Sequence, residues 1–175
     1  MKQKPIVITI AAVSGGGKTT VAKNVASKLN DARTIHFDDY DIEGPSDIGI
    51  WVEESASYDD WNVEPIVKDI KLLLHESNIK YIIVDYPFSY LNKQMKELIN
   101  YSFYIDTPLD IAMARRFLRE PMDSINDVIE EYELYLDVGR KAYKMMETKV
   151  KPDADYIIDG QLPLDEIVQE ILNNL

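Results

Sequence analysis

The chain has 175 residues, 46% of them hydrophobic and 29% charged, the size and make-up of one ordinary globular domain. Its net charge is −12 and its pI near 4.6, a surface that repels DNA and RNA but still allows a small anion at a locally positive site. There is no cysteine, which removes disulfides, thiolate metal sites and cysteine nucleophiles. No apolar run approaches a membrane span and no cleavable signal pattern precedes Pro5, so no membrane partner is expected and the cytoplasm is the expected compartment.

Apolar strands alternate with amphipathic helices. Ile6 to Val13 is a β-branched run, as in a buried parallel strand. After the loop Ser14–Gly17, Val21, Ala22, Val25, Ala26 and Leu29 share one helical face. Thr34–Phe37 is a short second strand. Asp38–Trp61 has no clear period and is rich in acids, Gly, Pro and Ser; so long an irregular stretch is usually functional or mobile. Helical spacing returns over Glu64–Glu76. Tyr81–Val84 is a third strand ending at Asp85, and Leu91–Asn100 is expected to be a helix. Ser102–Ile105 is a fourth strand; Asp106 or Thr107 is expected to cap a helix that starts at Pro108 and runs toward Arg119. Pro121 breaks that helix. Ser124 to about Thr148 reads as one long helix with Ile125, Val128, Ile129, Tyr132, Leu136, Tyr143 and Met146 at apolar positions and Gly139 as a weak point. Tyr156–Ile158 is a fifth strand and Leu164–Leu172 a closing helix. This alternation predicts an α/β fold, a five-stranded parallel sheet with helices on both faces, in one domain over residues 1–175.

Residues 12–20, A-V-S-G-G-G-K-T-T, have the pattern of a phosphate-binding loop between strand and helix, with Ala12 where Gly is commoner. Ser14, Gly15, Gly16 and Gly17 can wrap a phosphate with backbone N–H groups, and the helix beginning at Lys18 aims its positive end at the same group. Lys18 adds a charge for the β- and γ-phosphates, Thr19 a hydroxyl for Mg²⁺, and Thr20 completes the loop. The strand before it and the helix after it point to the three-layer P-loop NTPase fold, binding ATP with Mg²⁺.

In an open parallel sheet the chemistry collects at the carboxyl ends of strands. Asp38, after the second strand, is the candidate general base. Asp85, after the third, is the candidate Mg²⁺ ligand beside Thr19. Asp106 is read as a helix cap. Arg116 and Arg119 are three apart and can face one anion from a short lid near 116–124. Tyr40, Trp51, Tyr58, Trp61, Tyr86, Phe88 and Tyr90 can together wall a base-binding pocket. His36 and His75 are read as structural.

Several segments, in order, resemble the uridine kinase and phosphoribulokinase family of P-loop kinases, which includes the nicotinamide riboside kinases: V-S-G-G-G-K-T-T, F-D-D-Y, Y-D-D-W, I-I-V-D-Y-P-F, I-D-T-P-L-D-I-A-M-A-R-R-F-L-R and A-D-Y-I-I-D-G. The resemblance implies an ATP-dependent kinase acting on a small-molecule alcohol or nucleoside. It makes Asp38 the base for a ribose 5′-hydroxyl. Asp59 or Asp60 falls where the family binds the ribose 2′ and 3′ hydroxyls, with Asp60 preferred. It also puts Arg116 on the acceptor side, with Tyr40 in the same substrate site, and Arg119 on the ATP phosphates. The family's lid usually continues with further arginines; here Glu120-Pro121-Met122-Asp123 follows, and Tyr86-Pro87 replaces the usual Glu-Gly after a strand end that carries Asp85. These departures leave the acceptor open among a pyrimidine nucleoside, nicotinamide riboside and a non-nucleoside alcohol. A regulatory ATPase or switch is the competing class, and a homo-oligomer is compatible with the sequence.

Overall fold

The computed structural model describes residues 4–54, 56–119 and 122–175. Strands β1 (Ile6–Ala11), β2 (Ala32–His36), β3 (Tyr81–Asp85), β4 (Tyr101–Asp106) and β5 (Tyr156–Asp159) form one sheet in the order β2-β3-β1-β4-β5. Every neighbouring pair is parallel, with Ile10 and His36 each opposite Asp85 and Asp106 opposite Asp159. All five carboxyl ends therefore share one edge. β1 is central, and the loop after it sits where the chain's path to β2 and its path from β4 to β5 diverge, the crevice that open α/β sheets use for ligands.

The side chains of β1 alternate between two cores. Ile8 and Ile10 pack with Val21, Ala22 and Val25 of α1 (Lys18–Lys28) and with Ile167, Val168 and Ile171 of the closing helix, Leu164–Asn173. Val7 and Ala11 face the other way, toward Trp51 of α2 (Ile48–Glu54), Ile66, Val67 and Ile70 of α3 (Glu64–Leu73), and Met146 and Val150. Layers on both faces follow from the period-two alternation along a strand buried on both sides.

Three elements depart from the sequence reading. The irregular stretch 38–61 contains α2 and two 3₁₀ turns, Phe37–Asp39 and Tyr58–Asp60. The helix expected over 91–100 shrinks to α4, Lys93–Lys96. Helix α5 spans Leu109–Arg119; the expected break at Pro121, with Glu120 before it, lies outside the described residues. The expected long helix exists, capped by the Ser124 hydroxyl, which accepts from Asp127 N–H. It is segmented as α6 (Ile125–Leu134), a π turn at Tyr135–Gly139, α7 (Arg140–Met145) and a second π turn at Met146–Val150, with helical dihedrals at each junction. Of its expected apolar positions Met146 is buried and Tyr143 packs against the core, whereas Ile125, Ile129, Tyr132 and Leu136 are exposed. The closing helix is α8. Among the described residues no helix is long and apolar enough to cross a membrane.

Candidate active site

The glycines of the loop do two different things. Gly15 (φ +78°) and Gly17 (φ +101°) hold left-handed conformations that L side chains resist. Gly16 does not, but a Cβ there would lie 2.7 Å from the Ala12 Cβ and 2.9 Å from the Val13 carbonyl oxygen. Its N–H donates to that Val13 carbonyl at 2.9 Å, closing the turn. Its own carbonyl accepts from the Thr107 hydroxyl at 3.0 Å. Thr107 thus ties the loop to the end of β4. Asp106, read as a cap, instead accepts from the Lys151 ammonium at 2.5 Å.

Lys18 opens α1 next to the loop. Burial pulls its pKa below the usual lysine range; the charges of Asp85 and Asp38 oppose that shift, and Arg119 adds to it. Two carboxylates and an arginine are therefore near enough to act on one ammonium. The Thr19 hydroxyl donates to Asp85 Oδ2 at 2.5 Å, and Asp85 is 1% exposed with Oδ1 unbonded. A hard oxygen pair of hydroxyl and carboxylate, with a spare buried lone-pair site, suits Mg²⁺, which takes its other ligands from phosphate and water. Among the described residues no cluster of three or more His, Asp or Glu competes for a metal. His36 Nδ1 lies 3.5 Å from Asp85 Oδ2, buried and without a hydrogen bond. Reading His36 as a structural strand residue overlooked this; the signal was its place at the end of β2, in register with Asp85.

A cavity of about 410 Å³ opens from this edge. Its charged end holds Lys18, Asp38, Arg116, Arg119 and Glu131, with Ser14 beside them. Its walls are apolar and aromatic. Phe88 is the hub, with ring centroids 5.0 Å from Tyr58, 5.0 Å from Trp61 and 5.6 Å from Phe37. Trp51 stands edge-on to Tyr58 at 5.2 Å, its indole N–H fixed on the Ser57 carbonyl. Leu134, Tyr135, Val138, Ala142 and Tyr143 of the segmented helix close the opposite wall. The Arg116 guanidinium is held there by the Glu131 carboxylate and by the Tyr143 hydroxyl.

The aromatic set proposed for the pocket divides. Trp51, Tyr58, Trp61 and Phe88 line the cavity, joined by Phe37, which the sequence reading omitted. Tyr86 is buried behind them. Tyr90 donates to Asp155 and lies elsewhere. Tyr40, expected to contact substrate, does not line the cavity; its hydroxyl donates to Asp69 of α3 at 2.7 Å. Neither Asp59 nor Asp60 lines it. Asp59 is a clip between segments: it accepts from the Lys93 backbone N–H at 2.8 Å and the Lys93 ammonium at 2.9 Å, which together hold its pKa below the usual carboxylate range. Asn92 reinforces the join by donating to the Tyr58 and Trp61 carbonyls while capping α4. Glu131 and Tyr143 escaped the sequence reading because nothing local marks a helix 15 or 27 residues away as the partner of Arg116.

A second cavity, about 250 Å³, borders the loop at Gly16 and Gly17 and is lined also by Thr20, Arg115, Gly160 and Leu162 among others. Arg115 reaches the Gly160 carbonyl at 3.5 Å. The phosphate loop thus borders two recesses of different character.

No protein-family model matches the chain. It is 26% identical to a protein named uridine kinase from Bacillus pumilus (strain SAFR-032), over 90% of this chain and 88% of that one. To a uridine kinase of Clostridium tetani (strain Massachusetts / E88) it is 25% identical over 98% and 96%. Its fold is similar to the crystal structure of a gluconokinase from Sinorhizobium meliloti 1021, with a TM-score of 0.58 at 18% identity, covering 98% of this chain and 91% of that one. Sequence similarity to proteins named uridine kinase over nearly the whole length, together with the intact phosphate loop, makes this chain an ATP-dependent small-molecule kinase.

Proposed function

We propose that the chain transfers the γ-phosphate of ATP to the 5′-hydroxyl of a nucleoside. The observation that carries this reading is the placement of Lys18 and Asp38 in the wall of one aromatic cavity, beside the Thr19–Asp85 pair. A flat base can rest against the aromatic wall that Phe37, Trp61 and Phe88 build by packing on one another, where ring contacts and apolar burial supply affinity. Asp38 accepts the proton of the attacking hydroxyl. Lys18 and Arg119 hold the charge on the transferring phosphate, and Arg116 steadies the acceptor. Thr19 and Asp85 would hold Mg²⁺, which, when bound, neutralises charge on the phosphates. The names of the full-length relatives support a nucleoside. The cytoplasm is the proposed compartment, and one domain with a short lid the proposed organisation.

A second reading, phosphorylation of a non-nucleoside alcohol, is favoured by one specific arrangement. Asp59 is committed to Lys93, and neither it nor Asp60 lines the cavity where a ribose diol would need them. A panel of pyrimidine nucleosides, nicotinamide riboside and small sugars, scored by acceptor-dependent ADP release, separates the two. Release with a nucleoside supports the first reading; release only with a non-nucleoside supports the second; a flat panel sinks both in favour of a regulatory ATPase. Asp38→Asn is expected to lower kcat at least about 100-fold, the usual worth of a positioned acid–base group, with ATP binding intact. Unchanged turnover would remove Asp38 from the base role.

A further inference from the structure

Resting on the kinase reading above, we infer that Glu131 sets the charge of the acceptor, admitting uncharged alcohols and rejecting anionic ones. The cavity wall carries three cations and two carboxylates. Lys18 and Arg119 line this cavity together and, in the roles proposed above, both serve the phosphate end. That leaves Arg116 as the acceptor-side cation, and its guanidinium is engaged by Glu131 from α6, with Tyr143 donated to at 3.2 Å. Asp38 faces the same space. The acceptor side therefore holds one cation already matched by one carboxylate, while Asp38, whose charge also acts on Lys18, adds a further negative charge to the shared wall.

The rest of its lining, including Trp51, Phe88 and Val138, has no charge to change that balance. An acceptor carrying a carboxylate or phosphate would have to draw Arg116 away from Glu131. That would leave the Glu131 carboxylate unpaired in a partly buried, apolar setting, which is more costly than the original pair. An uncharged alcohol makes no such demand. Glu131 is in this sense a specificity residue acting through Arg116.

The test uses the full chain with matched acceptors differing in one carboxylate: uridine with orotidine, and methyl shikimate with shikimate. ADP release gives kcat and KM for each. The native protein is expected to favour the neutral member by about ten-fold or more in kcat/KM, the scale of one like-charge contact. Glu131→Gln keeps an oxygen for Arg116 but removes the charge, and is expected to narrow that ratio by about ten-fold. Glu131→Asp keeps the charge and is expected to keep the preference. A purely structural role for Glu131 would lower both members in proportion and leave the ratio unmoved, which overturns the inference. So does a native preference for the anion. Thermal melting shows whether each variant is folded; should Glu131→Gln not fold, loss of the native preference in Glu131→Asp overturns the inference and its retention supports it. If no member of either pair releases ADP while ATP still binds, the kinase reading falls and this inference falls with it.

Discussion

At Gly15 the backbone has no room for a methyl group: a Cβ would sit 2.0 Å from the Ala112 carbonyl oxygen of α5 and 3.3 Å from the Arg116 Cβ. The loop and the arginine helix are therefore fitted through this one residue. Gly15→Ala adds about 1–2 kcal/mol of left-handed strain to that clash. It should abolish measurable ATP binding in a calorimetric titration and lower the melting temperature. Trp51 is the complementary case, a large buried ring rather than a missing one. It is 7% exposed, edge-on to Tyr58 and Trp61, and hydrogen-bonded to Ser57. Trp51→Ala should cost about 3–5 kcal/mol in chemical denaturation, because it opens a hole where α2 meets the aromatic wall.

The wall of the larger cavity depends on how the long helix is wound. Glu131, Tyr135, Gly139 and Tyr143 line it, as do Leu134, Val138, Ala142 and Met146, each series at a spacing of four. In a regular α-helix that spacing drifts about 40° per step, carrying the later members off the face. The π turn at Tyr135–Gly139 rotates less per residue and takes the drift back, so both series stay on one face. Deleting the exposed Asp137 should convert this π turn into α-helix with the flanking segments still in register. Melting temperature should change by a few degrees at most, whereas the acceptor KM should rise several-fold in steady-state assays, because the residues left in the turn are re-aimed.

Such winding was not legible in the sequence. The positions of the strands, the place of the loop and most helix faces were, since buried parallel strands and amphipathic helices write their periods locally. The face of the 125–150 helix was misread because its most regular apolar stripe is exposed and its inward face carries Glu131 and Gly139. The larger cavity was half legible. Asp38 and the aromatic residues after it announced a pocket, whereas the use of Asp59 and Tyr40 as fasteners depends on Lys93 and Asp69, which only folding brings near.

Across the whole molecule, the sheet's carboxyl edge organises charge against the chain's general sign. A net charge of −12 surrounds a small group of cations at the loop. Thr107 and Gly160 help fix that arrangement: a Cβ on Gly160 would come within 1.9 Å of the Thr107 hydroxyl, the group that holds the Gly16 carbonyl. Two recesses border the loop through different residues, about 410 Å³ with Ser14, Lys18 and Asp38 and about 250 Å³ with Gly16, Gly17 and Arg115. Their placement bears on the order of events. In the kinase reading proposed above, two ligands seated together at the loop would exchange the phosphoryl group directly, without a covalent stop on the protein. Initial-rate lines at several fixed acceptor concentrations should therefore intersect in a double-reciprocal plot. Parallel lines would mean that a side chain carries the phosphate part of the way.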